Sequence, residues 1–278
     1  MIMKKIEKKY FPIIELLEGK LFLESIKNEY KGFITAANPM VLNPKILFIG
    51  INPGAGAYDE LNSTKKNSDK KTNPKYPKTL FSDNKITQID WLKDGNSRGE
   101  CIKKSWKPYK WHDRNKKVNN VFVKRLIEFF FSYYDINNQS DFSEIENKIN
   151  SEIFYYNVYP IATKSTKELG FILKKIVSKQ IILNENQMNT LKNLKNFFRQ
   201  RAIDLIEHIQ PEIIICLGSH AYRDLTNSSQ SISLKASIIK YETKFRKNDQ
   251  KKYPVYIVAR NGNWEEKIKN LGTHLKAL

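Results

Sequence analysis

The sequence predicts an α/β protein: a three-layer α/β/α sandwich around a central, mainly parallel four-stranded sheet, in one domain spanning residues 1–278. Three observations carry the prediction. Four short apolar runs, rich in β-branched and aromatic residues, stand at residues 45–51, 153–160, 212–218 and 255–259. Stretches with helical spacing separate them. Each run stops in turn residues and leaves polar side chains at its exit: Asn52, Asn157, Ser219 with His220, and Arg260 with Asn261.

In chain order, Ile6, Tyr10, Ile13, Ile14 and Leu17, then Leu21, Leu23 and Ile26, follow helical spacing, with Gly19 as the break. These helices are expected to pack on the sheet. Gly32 to Met40 reads as a loop, and Asn43-Pro44 introduces the first strand. That strand ends in Gly50-Ile51-Asn52-Pro53-Gly54. Glycines at such an exit let the backbone come close to a ligand, and proline sets the bend. Ligands of open α/β sheets lie beyond the carboxyl ends of strands. Asn52, held on a stiff turn, marks the expected active site.

Residues 59–119 form an insertion rich in Lys, Asn, Ser, Asp and Pro, a composition that buries little surface. Tyr76, Phe81, Trp91, Trp106, Tyr109 and Trp111 are interleaved with its cations. Two readings stay open: the rings stack on nucleobases, or they pin the loop to the domain.

Beyond it, Val121 to Tyr134 reads as an apolar helix and residues 153–160 as the second strand, with Asn157 near its exit. Thr163-Lys164-Ser165-Thr166-Lys167 is either a phosphate-binding loop or a solvated turn capping a helix. A long helix follows from Met188 to Ile209, ended by Gln210-Pro211. The third strand passes through Gly218-Ser219-His220 into another helix, whose first backbone donors suit an anion. The last strand leads through Arg260-Asn261-Gly262-Asn263-Trp264 into a closing helix.

Charge narrows the class. The chain carries 48 Lys+Arg against 29 Asp+Glu, a formal net charge of +19. Such a surplus favours nucleic acid as partner, the alternative being lysines scattered over a solvated surface. Chemistry narrows it further. There is no Walker loop and no complete dinucleotide fingerprint, and none of the strand exits supplies a carboxylate pair or a Ser-His-Asp set. His112, His208, His220 and His274 lack ligand spacing, and Cys101 and Cys216 cannot build a thiolate metal site unaided. No metal and no cofactor is therefore expected. Two cysteines and the lack of a bilayer-length apolar run predict a reduced, cytoplasmic protein with no membrane partner.

Three motifs in register carry a resemblance. Gly50-Ile51-Asn52-Pro53-Gly54 resembles the first motif of the uracil-DNA glycosylase superfamily, as written in its mismatch-specific and single-strand-selective branches. Tyr156-Asn157-Val158-Tyr159-Pro160 is similar to the second-strand motif whose asparagine reads the flipped base. The run from Gln210 to Ala221 is similar to the third strand and following helix. The last motif departs: where His-Pro-Ser or Asn-Pro-Ser is usual, this chain reads Ala259-Arg260-Asn261-Gly262-Asn263-Trp264. That change sets the last motif apart from the ordinary uracil-specific form.

The resemblance implies a monomeric, monofunctional DNA glycosylase acting on an extruded base in duplex or single-stranded DNA. Asn52 would orient the attacking water through its carbonyl, and Arg260 or Asn261 would stabilise the departing base. Asn157 would bond the base edge in a pocket with Gly50 and Ile51, while Tyr58 or Phe81 stacks on the ring. Lys164, Ser165, Ser219, His220 and Asn263 would contact DNA. Trp264 would either wedge into the gap left by the flipped base or pack against the sheet. The superfamily also includes an anti-phage branch that removes hypermodified bases such as glucosylated hydroxymethylcytosine, and the insertion would suit a larger pocket. A catalytically silent DNA-binding module on the same fold is the alternative.

Overall fold

The structure, a computed structural model, describes residues 8–30, 33, 40–53, 121–136, 147–149, 151–183, 186–229, 238–246, 250–260 and 262–278. The expected insertion at 59–119 lies outside the described residues. The chain gathers into two compact units. The first holds the described residues up to Met40, residues 51–53 and Tyr156–His208; the second holds Val41–Gly50, the described residues from 121 to Tyr155, and Ile209–Leu278. The sequence shows no linker between them, because the chain passes between units several times, among them directly after its first strand and inside its second.

In the first unit, α1 (Phe11–Glu18) and α2 (Lys20–Ile26) are divided at Gly19, as the spacing predicts. Pro12 starts α1, where a missing N–H costs no helical hydrogen bond. Of the predicted apolar stripe, Tyr10, Ile13, Ile14, Leu17 and Ile26 lie in the core, whereas Leu23 is partly covered and Leu21 is exposed to solvent. The Tyr10 ring meets Phe33 at 5.3 Å and Phe198 at 5.9 Å, and Phe198 meets Tyr159 edge-on at 5.3 Å. Fully burying an aromatic ring of this kind is worth about 1.5–3 kcal/mol. Among the described residues the unit holds two further helices, α4 (Thr166–Val177) and α5 (Leu191–Ile209), with a two-stranded antiparallel ribbon of β3 (Ile182–Leu183) and β4 (Asn186–Gln187) between them. Helix α5 begins three residues later than its apolar pattern suggests. Thr190 caps it, its Oγ1 accepting from Asn193 N at 3.1 Å, so Met188 belongs to the approach.

The second unit holds the sheet. Its strands are β1 (Ile46–Gly50), β2 (Ile153–Asn157, the last two residues of which fall in the first unit), β5 (Ile213–Cys216), β6 (Ile238–Thr243) and β7 (Tyr253–Val258). Their order is β2-β1-β5-β7-β6. Strand β5 runs parallel to both β1 and β7, pairing Ile46 with Ile213 and Ile214 with Val255. Strand β6 runs antiparallel to β7, from Ile238 opposite Val258 to Thr243 opposite Tyr253.

The four-stranded sheet expected from sequence is thus a mixed five-stranded one. The added strand, β6, alternates Lys240 and Glu242 with partly covered residues. An edge strand needs little burial, so it lacks the apolar run that announces the other four. Against this sheet, Phe48 stacks on Tyr155 at 5.2 Å and meets Phe129 edge-on at 5.2 Å. Phe129 belongs to α3 (Val121–Tyr133), which packs on the closing helix α7 (Trp264–Lys276). Among the described residues no helix is long and apolar enough to cross a membrane.

Candidate functional site

Strand β1 ends at Gly50 and the chain turns at once through Ile51, Asn52 and Pro53. Two backbone bonds lay this turn along residues 159–163: Tyr159 N donates to Ile51 O at 2.9 Å, and Thr163 N donates to Pro53 O at 3.1 Å. Asn52 sits between these rungs, partly buried. Its Nδ2 donates to Thr163 Oγ1 at 2.9 Å, to Pro53 O at 3.0 Å and to Ile161 O at 3.3 Å. The amide nitrogen is therefore saturated with acceptors. Two of them are carbonyls, which cannot face an oxygen without repulsion, so the network fixes the amide orientation. Among the described residues no donor reaches Asn52 Oδ1. The site presents a stiffly held acceptor.

Asn157 ends β2 two residues before the Tyr159 rung. Standard chain geometry across that rung keeps the Cα atoms of Asn52 and Asn157 within about 15 Å, on neighbouring segments of one unit. The Asn157 side chain is half-buried, and among the described residues its amide meets no partner. It offers both a donor and an acceptor. Its neighbour Tyr156 points into the core, where its hydroxyl meets that of Tyr10 at 3.2 Å and anchors the strand end. Burial, and then the neighbouring Tyr156, hold the Tyr10 hydroxyl well above the usual phenol range.

Thr163 is buried, at 1 % exposure, and its hydroxyl donates to Ser165 O at 2.8 Å while accepting from Asn52. Ser165 caps α4: its Oγ accepts from Glu168 N at 3.2 Å, and Glu168 Oε2 accepts from Lys164 N at 2.8 Å. Of the two readings of this loop, the helix cap is present. Ser165 Oγ is engaged there, while Lys164 is an exposed cation beside it.

The remaining candidates belong to the second unit. Gly218 follows β5 with φ 111° and ψ 154°, a region open essentially only to glycine. A Cβ there would stand 3.6 Å from Arg260 Cδ. After this turn comes α6 (Ser219–Thr226), with Ser219 partly covered and His220 exposed. Arg260, just past β7, is exposed and holds its guanidinium 5.5 Å above the Trp264 ring. Trp264 is 1 % exposed, so of its two predicted fates it takes the packed one, and a wedge between bases is not available to it in this state. Asn263 is exposed and donates from Nδ2 to Glu266 Oε2 at 2.6 Å. Tyr58, Phe81 and Asn261 lie outside the described residues.

The sequence singled out Asn52 but missed Thr163 as its partner. The available signal was weak: a buried hydroxyl one residue before a cationic, cap-forming run. Among the described residues no group of three His, Cys, Asp or Glu side chains is gathered to hold a metal. Fold and site together define an α/β protein with a mixed sheet, whose first strand opens onto a clamped asparagine. No family model and no curated protein matches the chain.

Proposed function

We propose that this protein is a monofunctional DNA glycosylase that hydrolyses the N-glycosidic bond of an abnormal or modified pyrimidine and leaves an abasic site. Under this reading the sheet is the centre of a three-layer sandwich of the uracil-DNA glycosylase type, with β6 as an added edge. The observation that carries it is the orientation of Asn52: its amide nitrogen is held by three acceptors, and among the described residues no donor occupies its Oδ1.

An outward acceptor suits the required step. Water attacks C1′ as the bond to the base breaks through an oxocarbenium-like state, and the base leaves as an anion that then takes up a proton. The protein needs to place that water and to favour departure of the base. Asn52 Oδ1 accepts from the water, and the Asn157 amide reads the base edge. The resemblance adds Arg260 as donor to the departing base, which Arg260→Ala tests on its own. Net charge of +19 supports a phosphate-dominated partner.

A panel of labelled duplex and single-stranded oligonucleotides tests the reading. They carry uracil, a thymine mismatch, hydroxymethyluracil or glucosylated hydroxymethylcytosine, and hot alkali reveals abasic sites. One substrate is cleaved by the wild type; Asn52→Ala abolishes cleavage and keeps binding. DNA bound with no base excised from any substrate replaces this reading with the silent binding module.

A further inference from the structure

We propose that Thr163 is the positioning residue that, beside the Pro53 and Ile161 carbonyls, locks the nitrogen end of the Asn52 amide in place, so that its oxygen is left to take a hydrogen-bond donor. The inference rests on the glycosylase reading for its consequence, though not for its geometry. Asn52 has two amide protons to give. Their shortest contact is Thr163 Oγ1 at 2.9 Å, from a residue 111 positions away in the chain.

A hydroxyl can accept or donate, so alone it would not specify an amide orientation. Here the choice is made elsewhere. The Thr163 proton goes to Ser165 O at 2.8 Å, which leaves only lone pairs for Asn52. Ser165 O is itself a fixed acceptor, because it also takes the first helical bond of α4, from Leu169 N at 3.1 Å. The cap through Glu168 holds that carbonyl in place from two sides. Alongside the two carbonyls, the chain from helix α4 through Ser165 O and Thr163 Oγ1 to Asn52 Nδ2 thus holds the same orientation. At the other edge, the Thr163 N bond to Pro53 O keeps the turn from sliding past the hydroxyl. Chains of this kind polarise one another in a water-poor site.

The test compares Thr163→Val, which keeps the shape and removes both hydrogen bonds, with Thr163→Ser, which keeps the hydroxyl. Two readouts are taken on the full chain. The first is solvent exchange of the Asn52 side-chain amide protons by NMR, which needs no substrate. The second is kcat and KM on whichever oligonucleotide the wild type cleaves. In Thr163→Val the amide exchange accelerates and kcat falls, each about tenfold, with KM unchanged. Thr163→Ser restores both. Wild-type exchange in Thr163→Val overturns the proposal, as does a loss that serine fails to rescue. Where the wild type excises no base, the glycosylase reading fails and the exchange rates still decide the role of Thr163. Should the valine variant not fold, the wild-type Thr163 hydroxyl proton decides: slow exchange supports the clamp, and exchange at solvent rates overturns it.

Discussion

The hydroxyls of Tyr10 and Tyr156 meet at 3.2 Å inside the first unit, 146 residues apart in sequence. The pair fastens α1's leading edge to the residue before Asn157, so it supports the site without touching it. Deleting either hydroxyl removes this hydrogen bond from a buried setting. Tyr10→Phe and Tyr156→Phe are each expected to cost about 1 kcal/mol, and the double variant clearly less than their sum. Urea unfolding of the four proteins measures the cycle.

The same pair sets a pH dependence. Burial raises the Tyr10 pKa well above its unfolded value, so above about pH 10 the unfolded state loses a proton that the folded state keeps. Stability therefore falls as pH rises through the alkaline range, and is fully present below it. Tyr10→Phe is expected to flatten that alkaline slope, read from denaturant midpoints at stepped pH. An unchanged slope would assign the loss to the other buried tyrosines.

Asn52→Asp is expected to behave unlike a conservative change. The introduced carboxylate would lack the donors that now face Pro53 O and Ile161 O, and repulsion from both carbonyls would raise its pKa. Stability of the variant then falls as pH rises from about 4 toward the raised folded pKa, the opposite of a salt-bridged aspartate. Thermal melts of Asn52→Asp and Asn52→Ala across pH 4–8 separate the cases, since only the carboxylate titrates.

Gly272 is where α7 crosses α3. A Cβ there would stand 2.6 Å from Phe129 O and 3.2 Å from Tyr133 N, both backbone atoms that cannot swing away. Alanine gains up to about 1 kcal/mol in helix propensity over glycine, but overpacking costs about 1–3 kcal/mol. The contact is to backbone, so the second effect wins. Gly272→Ala should lower stability by about 2 kcal/mol in chemical denaturation, whereas an exposed helical glycine replaced in the same way would gain.

Cys216 lies fully buried in β5, and burial pushes its thiol well above the usual range. The thiolate is the reactive form, so a thiol reagent at neutral pH should leave this residue unmodified until the chain unfolds. Peptide mapping after timed labelling, with and without denaturant, reads Cys216 separately from Cys101.

Much of the fold is written locally. Ile46–Ile49 and Ile213–Cys216 announce strands because β-branched and aromatic runs suit a pleated, covered surface, and Gly19 ends a helix because it resists helical order. Asn52 stands out for the same reason: glycine and proline around it specify a stiff turn wherever the chain goes. Local chemistry, then, dictates where the backbone runs straight, where it coils and where it bends. It takes the assembled fold to bring β6 into the sheet, to bury Trp264, and to set the Asn52 amide nitrogen against Thr163 across 111 residues. Propensity acts over a few neighbouring residues, whereas a hydrogen-bond partner is chosen by whichever group the completed packing brings within 3 Å or so.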